Sequence, residues 1–277
     1  MKYTEKDLLA RIAEVPGRTH RENPMAASIT NSVTINLVAN AQLAAGGSAA
    51  MVYLPDEGEA MAAAGRSLYI NMGTLMPFYA ETLPRTARRL CELGRPWVLD
   101  PVALGIGALR TELLRQFAQF RPGIIRGNAS EILALATLWG LAEGRVDRVR
   151  GVDSTDQVAD AKEAARALAR HTGGAVAISG ETDYVTDGEN GFTSFGGSKF
   201  LPMITGAGCS LGGVMAIYAS VAEPFVAAAA AAALYNVAGA AAEKRARGPG
   251  SFLVEFLDEI YAATGKALAD NRFELDA

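Results

Sequence analysis

The 277-residue sequence is poor in residues on which several classes of protein depend. Only two cysteines are present, Cys91 and Cys209, so a disulfide framework is excluded and a reducing, cytoplasmic compartment is expected. Six lysines and a net charge of −4, without any basic cluster, argue against a nucleic-acid-binding surface. The composition therefore favours a globular protein whose partners are small molecules.

Long charge-free stretches are present, yet neither has the composition of a membrane span. Residues 200–222 include Pro202 and several glycines, and residues 225–242 are mostly alanine, which drives membrane insertion weakly. Both are expected to be buried helices, and no membrane contact is predicted. The N-terminus lacks the apolar segment of a signal peptide. Thr4 and Asp7 instead have the spacing of a helix cap with an acidic third residue.

Short apolar runs alternate with helical patterns along the chain. Strands are predicted over residues 49–54, 67–71, 97–100, 123–126, 175–179 and 184–186. Helices are predicted over 32–45, 82–93, 111–120, 130–135, 159–171, 209–221, 224–247 and 251–261. Nothing divides the chain, so residues 1–277 are expected to form one α/β domain, with a mostly parallel sheet covered by helices on both faces.

Polar residues follow three of these predicted strands. Asp100 ends the first, Arg126 ends the second, and Ser179-Gly180 ends the third. Because ligands of open α/β sheets bind at the carboxyl ends of the strands, a site is expected at this edge. The stretch "TGAGC" at 205–209 opens a predicted helix that can reach the same edge.

The stretch "TGAGCSLGG" at 205–213 matches parts of two other motifs. It contains the G-x-S-x-G pattern of serine hydrolases around Ser210, but His20 and His171 both precede it, against the order Ser, acid, His. It also begins like the G-x-G-x-x-G dinucleotide motif, but position 211 is Leu, and the stretch lies late in the chain. Both alternatives are disfavoured.

A phosphate-binding turn needs only the residues present. Glycines allow successive N–H groups to point at one anion, and the start of a helix adds a positive dipole end. The sequence contains no G-x-x-x-x-G-K-[ST] motif, so this is not a P-loop. Taken alone, the turn leaves a second possibility open, in which its glycines only allow a helix to pack closely on the sheet.

Several motifs in order resemble the hydroxyethylthiazole kinase family. They are "ITNSVTINLVAN" (29–40), "GGSAAMVYLPDE" (46–57), "NMGTL" (71–75), "VLDPV" (98–102), "IIRGNASEI" (124–132), "GVDS" (151–154), "ISGETDYVTDG" (178–188), "TGAGCSLGG" and "GPGSF" (248–252). The resemblance implies a ribokinase-like three-layer fold without a lid. It further implies ATP- and Mg²⁺-dependent phosphorylation of the primary hydroxyl of 4-methyl-5-(2-hydroxyethyl)thiazole in thiamine salvage. A homotrimer with active sites at its interfaces is also implied, and the small-residue helices after residue 208 are too apolar to face water, which favours such an assembly.

The resemblance also assigns roles to individual residues. Catalytic roles fall to the N–H groups of Gly206, Ala207 and Gly208, and to Cys209, which stands where most ribokinase-like enzymes have an aspartate base. The thiazole pocket would be formed by Met51, Asn31, Val33 and Gly206. ATP would be bound by Arg126, Ser179 and Gly180, and magnesium by Asp100 and Glu131.

Each role has a structural alternative. Asn128 with Glu131 has the spacing of a helix capping box, and Asp100 can be an ordinary strand-end residue. Cys209 and Met51 are residue types that more often fill a core. The pKa of Cys209 has two opposing influences, since a helix N-terminus lowers it and a nearby triphosphate raises it.

The sequence departs from the family pattern at several positions. Ala27 replaces a usual histidine, Ala207 a threonine, Ala103 a glycine followed here by the bulky Leu104, and Ser179 a threonine. The changes at 27 and 103–104 concern the size of the substrate pocket more than the reaction. Two other functions therefore stay open at this point: a kinase of another small vitamin-precursor alcohol, and a catalytically silent nucleotide-binding homologue.

Overall fold

The computed structural model describes residues 3–143 and 155–276, so the 151–154 motif lies outside the described residues. The helices of these residues are α1 (Glu5–Glu22), α2 (Ile35–Ala44), α3 (Pro55–Ala64), α4 (Tyr79–Glu92), α5 (Ala108–Phe117), α6 (Ala129–Leu138), α7 (Thr155–Thr172), α8 (Ala207–Ala219), α9 (Pro224–Glu243), α10 (Pro249–Ala262) and α11 (Gly265–Ala269). The strands are β1 (Met25–Ile29), β2 (Ser48–Met51), β3 (Ser67–Asn71), β4 (Trp97–Asp100), β5 (Ile124–Gly127), β6 (Ala175–Ile178), β7 (Asp183–Thr186), β8 (Gly191–Ser194) and β9 (Phe273–Asp276).

One sheet contains all the described strands, in the order β2-β1-β3-β4-β5-β6-β7-β8-β9. The strands from β2 to β6 are parallel, and β7, β8 and β9 continue the sheet antiparallel. Helical crossovers join the parallel strands, whereas a short turn suffices for the β7–β8 hairpin. The carboxyl ends of β1, β3, β4, β5 and β6 consequently meet at one edge, as the sequence predicts.

Helices cover both faces of the sheet, because strand side chains alternate between the faces. Val98 and Ile124 pack with the α1, α2, α8 and α9 side, while Leu99 and Ile125 pack with the α3 to α7 side. The predicted three-layer ribokinase-like architecture is therefore confirmed. No second sheet, and so no sheet-like lid, occurs among the residues described.

The two apolar helices α8 and α9 lie inside the chain's own core. By length and composition α9 is able to cross a membrane, yet 83% of its most apolar window is buried within the protein. Helix α8 approaches the sheet closely, since a side chain at Gly212 would overlap the ring of the buried Tyr69. The prediction of buried helices is confirmed, but the inference that they need a partner subunit to cover them is wrong.

The predicted elements are present, most with ends shifted by a few residues. Strands β3 and β4 match their predicted bounds, and Thr4 caps α1 by accepting a hydrogen bond from the backbone N–H of Asp7 at 3.2 Å. Strand β1, whose "MAASI" has few β-branched residues, was not predicted, and neither were the short elements β8, α11 and β9. Residues 49–54 were predicted as one strand, but β2 ends at Met51 and Pro55 begins the unpredicted α3.

Candidate active site

A cleft of about 950 Å³ lies at the carboxyl edge of the sheet, between the strand ends and the start of α8. Eight of the predicted site residues line it: Arg126, Glu131, Ser179, Gly180, Gly206, Ala207, Gly208 and Cys209. These residues come from three separate segments of the chain. The fold thus brings the predicted phosphate-binding and ATP-binding residues into one cavity.

The glycine turn at the start of α8 has the geometry of an anion site. Gly206 adopts a left-handed conformation (φ 94°) as the residue before the helix, and a side chain there would come within 2.7 Å of the Thr34 methyl group. The N–H groups of the first helical turn have no partner inside the helix. The N–H groups of Ala207, Gly208 and Cys209 are therefore free to bind an anion.

Ser210 is buried and belongs to the support of this turn. Its hydroxyl donates to the carbonyl of Ala207 at 2.9 Å and accepts from the hydroxyl of Tyr235 at 2.9 Å. Neither described histidine contacts it. A buried hydroxyl engaged on both sides is unsuited to nucleophilic attack, so the hydrolase alternative has no support in the structure.

Arg126 faces the glycine turn from β5. Its guanidinium forms a 3.2 Å ion pair with Asp100 and donates to the hydroxyl of Ser179. Burial opposes the charge of Arg126, but the carboxylates of Asp100 and Glu131 outweigh burial and raise its pKa. The cleft therefore holds a permanent cation beside the free N–H groups of the turn.

Asp100 is buried at the end of β4. One oxygen, Oδ2, accepts hydrogen bonds from Tyr69 at 2.8 Å, Asn71 at 3.1 Å and Arg126 at 3.2 Å. The other, Oδ1, is buried and has no hydrogen-bond partner among the described residues. Burial raises the pKa of Asp100 to about 6, while Arg126 opposes the shift and Glu131 adds to it. The donors on Oδ2 and the ion pair with Arg126 favour the carboxylate form.

Glu131 completes the predicted capping box and makes one further contact. Its Oε2 accepts from the N–H of Asn128 at 2.9 Å, and the Asn128 side chain accepts from the N–H of Glu131 at 2.9 Å. Its Oε1 accepts from the N–H of Ala103 at 3.2 Å. The capping interpretation is confirmed, and the same carboxylate also borders the cleft.

The acidic residues fit a magnesium ion better than a metal that requires a full protein cage. Among the described residues, no cluster of three or more His, Cys, Asp or Glu side chains is placed to hold a metal. Mg²⁺ keeps several waters and uses one or two carboxylates together with substrate phosphates. Glu131 lines the cleft, whereas the fully buried Asp100 does not. The candidate ligands are therefore the Glu131 carboxylate and the Oδ1 of Asp100, which has no partner among the described residues.

Cys209 is half-buried in the first turn of α8. Its Sγ accepts weak hydrogen bonds from the side-chain amides of Asn71 at 3.3 Å and Asn31 at 3.5 Å. Burial raises the pKa of the Cys209 thiol, and the charge of Asp100 raises it further. The surroundings of Cys209 in this chain therefore favour the neutral thiol over the thiolate.

Of the predicted thiazole-pocket residues, Gly206 lines the cleft, whereas Asn31, Val33 and Met51 lie outside it. Asn31 is buried and reaches Cys209, but Val33 is 68% exposed and Met51 is half-buried on the edge strand β2. Leu104 is fully buried in the core on the other face of the sheet. The departure at position 104 therefore does not narrow a pocket within this chain.

Several residues around the cleft were missed by sequence reasoning. Tyr69 donates a hydrogen bond to Asp100, and the Asn71 amide donates to both Asp100 and Cys209. Asn71 was detectable in the sequence, because it is a polar residue at the end of a strand on the ligand-binding edge. Tyr235, Asp183 and Asn236 also line the cleft. The last three had no local signal, since their roles come from partners far away in the sequence.

A doubly wound parallel sheet with an anion-binding glycine turn, an arginine and buried carboxylates at its carboxyl edge defines a ribokinase-like kinase. The fold is similar to that of pyridoxal kinase from Staphylococcus aureus, whose structure was solved with AMP-PCP and pyridoxal (TM-score 0.54, 16% identity, 78% of this chain and 87% of that chain). That similarity shows the architecture alone.

Sequence similarity identifies the family within this class. The hydroxyethylthiazole kinase family model matches residues 17–266. A hydroxyethylthiazole kinase from Bifidobacterium adolescentis is 53% identical over 269 residues, which cover 93% of this chain and 90% of the relative. The hydroxyethylthiazole kinase structure from Pyrococcus horikoshii superposes with a TM-score of 0.86 at 29% identity, covering 96% of this chain and 99% of that one. The chain belongs to the hydroxyethylthiazole kinase family and is a kinase, with ATP as the co-substrate that this family implies.

Proposed function

We propose that the protein transfers the γ-phosphoryl group of ATP to the primary hydroxyl of 4-methyl-5-(2-hydroxyethyl)thiazole, a step of thiamine salvage. The observation that carries the proposal is the glycine turn of α8, with Arg126 on one side and Cys209 at its end, in a chain whose relatives are named for this substrate. The buried Asp100 at the same edge would supply a carboxylate oxygen to the magnesium ion of the nucleotide complex.

Phosphoryl transfer asks the protein mainly for positioning and for stabilisation of charge on the transferred group. The N–H groups of Ala207, Gly208 and Cys209 would stabilise the equatorial oxygens, and Arg126 would bind the nucleotide phosphates. Ser179 and Gly180 border the cleft beside Arg126, where the nucleotide would pass. Asp100 and Glu131 would hold Mg²⁺, which neutralises charge on the phosphates when bound.

In its thiolate form, Cys209 would accept the proton that the substrate hydroxyl loses as its oxygen attacks phosphorus, and would become a neutral thiol. Its side chain is on the helix that carries the anion turn, and its neighbour Asn31 belongs to the predicted substrate residues. Burial and Asp100 raise the pKa of Cys209 and so disfavour the thiolate. A carboxylate is a weaker base but is ionised at neutral pH, so Cys209→Asp would carry an acceptor for the proton and would retain activity.

The thiazole pocket would be completed by a second copy of the chain in a homotrimer. Support comes from the residues assigned to this pocket, because the exposed Val33 and the edge-strand Met51 do not converge on the cleft within one chain. Light scattering on the purified protein should give about three times the 29.0 kDa chain mass. A stable and fully active monomer would exclude this part of the proposal.

The decisive assay is coupled ADP release with hydroxyethylthiazole and Mg²⁺, against a control without thiazole. Turnover that requires the thiazole alcohol supports the proposed reaction. Parallel reactions with pyrimidine and pyridine alcohols would reveal a preference for another vitamin precursor. ATP binding without turnover of any alcohol would identify a catalytically silent homologue and refute the proposal.

A further inference from the structure

A buried acid–amide pair, Asp183 with Asn236, lies in the wall of the cleft and has no part in the chemistry described above. The side-chain amide of Asn236 donates to Oδ2 of Asp183 at 3.1 Å and to the hydroxyl of Ser194 at 2.9 Å. Asp183 is 9% exposed, Asn236 is 6% exposed, and both line the cleft. The pair joins helix α9 to strand β7 across 53 positions of sequence.

The pair is bonded to two backbone segments that also line the cleft. Oδ1 of Asp183 accepts from the N–H of Gly180 at 3.2 Å, and Gly180 follows Ser179, which is bonded to Arg126. The backbone carbonyl of Asn236 accepts a hydrogen bond from the backbone N–H of Gly197 at 3.1 Å. Gly197 adopts a left-handed conformation (φ 84°) against the Asn236 side chain. The pair thus fixes the 179–180 segment relative to the 196–197 segment.

Helix α9 places the pair between the two ends of the cleft. At one end the Tyr235 hydroxyl contacts Ser210 beneath the anion turn, at 2.9 Å. At the other end the carboxylate of Glu243 accepts from the N–H of Lys199, at 3.3 Å. Glu243 lies eight positions after Tyr235 on the helix, which corresponds to a rise of about 12 Å along its axis. A nucleoside triphosphate with its γ-phosphate at the turn would therefore extend along α9 and pass the pair.

A carboxylate in this position is costly for the fold. Burial raises the pKa of Asp183 to about 6, while the Gly180 N–H, Arg126 and Asn236 oppose the shift. Well-packed apolar residues often serve stability better than buried ionic groups, which are retained in some proteins because they fix one geometry. The geometry fixed here is the spacing of two cleft-lining segments.

We infer that the Asp183–Asn236 pair is a positioning element for the nucleotide, which holds the Ser179–Gly180 and Gly196–Gly197 segments at the separation that ATP requires. The inference rests on the proposed function, because it takes ATP to be the occupant of the cleft. The pair touches no reacting atom and sets affinity for ATP rather than the chemical step.

The test combines Asp183→Asn, Asn236→Asp and the double variant that carries both. Asp183→Asn leaves one acceptor oxygen for two donors, the Asn236 amide and the Gly180 N–H, and Asn236→Asp sets two carboxyl groups against each other. The double variant restores one acid and one amide in exchanged positions. Isothermal titration with Mg²⁺–ATP would give the dissociation constant, and steady-state ADP release would give separate KM values for ATP and the thiazole. Ser194→Ala is the control, since it removes the hydrogen bonds that the Ser194 hydroxyl accepts from Asn236 and Asn271 and leaves the pair itself intact.

Each single variant should raise the dissociation constant and the KM for ATP by about tenfold, the equivalent of one lost hydrogen bond to a charged group. The KM for the thiazole should stay within about twofold, and the double variant should recover most of the ATP affinity. Ser194→Ala should lower the melting temperature without changing the KM for ATP.

Unchanged ATP binding in folded single variants would overturn the inference and leave the proposed kinase function standing. So would a folded double variant whose ATP affinity is about tenfold below that of the wild type, and this result decides the matter even if the single variants do not fold. Equal losses of thiazole and ATP affinity would show that the pair only supports the fold. Failure of the wild-type protein to bind ATP would instead refute the proposed function itself.

Discussion

The guanidinium of Arg126 occupies the space that a side chain at Gly208 would need. A methyl group there would overlap the terminal nitrogens of Arg126, which is itself held by Asp100 and Ser179. Arg126 is buried and bonded to both Asp100 and Ser179, so its guanidinium has little freedom to move away. Glycine at this position is therefore what allows the cation and the N–H groups of the turn to face one anion.

Gly208→Ala should accordingly displace Arg126 or the turn, and turnover should fall by at least about tenfold, with a stability loss of about 1–3 kcal/mol from overpacking. Steady-state ADP release and urea unfolding measure the two effects. Gly250→Ala is the matched control, because no atom lies within 4 Å of its added carbon. Normal turnover in Gly208→Ala would show that the close approach of Arg126 is unimportant.

Ala103 adopts a left-handed backbone conformation (φ 60°), in which its N–H points at the Glu131 carboxylate. This conformation costs an L-residue about 1–2 kcal/mol, while glycine adopts it freely but loses more entropy on folding. Ala103→Gly should therefore stabilise the protein by up to about 1 kcal/mol in urea unfolding. Ala63→Gly, at an exposed position in α3, should instead cost about 1 kcal/mol. Equal losses in the two variants would contradict the strain at Ala103.

The raised pKa of Cys209 gives the proposed base a defined pH dependence. Burial and Asp100 favour the neutral thiol, so the thiolate fraction and the wild-type rate should rise as pH increases above neutral. Cys209→Ala should lose about 10²–10⁴-fold in turnover, the usual contribution of a general base. Cys209→Asp should retain activity and reach its maximum at lower pH, because a carboxylate ionises before a thiol.

The pH–rate profiles of the three proteins, with thermal melts to check folding, measure these effects. Ser210→Ala is the companion variant, since its hydroxyl supports the turn but has no proposed chemical role. It should lose about 1 kcal/mol of stability for the missing hydrogen bonds and keep most of its turnover. An inactive Ser210→Ala beside a fully active Cys209→Ala would refute the assignment of the turn.

Glu131 has both a capping role in the structure and a magnesium role in the proposal, and Glu131→Gln separates them. A glutamine retains one acceptor oxygen for the N–H groups of Asn128 and Ala103, so stability should fall by only about 1 kcal/mol. If the carboxylate helps to hold magnesium, turnover should fall strongly at low Mg²⁺ and recover in part at high Mg²⁺. An ADP-release titration with Mg²⁺ measures this, and a curve identical to that of the wild type would leave the cap as its sole role.

Local patterns in the sequence are enough to predict the type of sheet, the polar strand ends, the capping box and the family. Alternating apolar runs and helical periodicities predict a parallel α/β sheet, and polar residues at strand ends place Asp100 and Arg126 at its ligand-binding edge. Spacing alone predicts the capping box of Asn128 and Glu131, because its hydrogen bonds join residues three positions apart. The ordered motifs predict the family to which the chain belongs.

Tertiary structure alone decided the features that depend on distant partners and on burial. The pKa of Cys209 is raised because the fold encloses it beside Asp100, more than a hundred positions away. Folding likewise brings Asp183 to Asn236 across 53 positions, and it turns Leu104 into the core instead of toward a substrate. Desolvation and long-range hydrogen bonds exist only once the chain is packed, so no local pattern carries them.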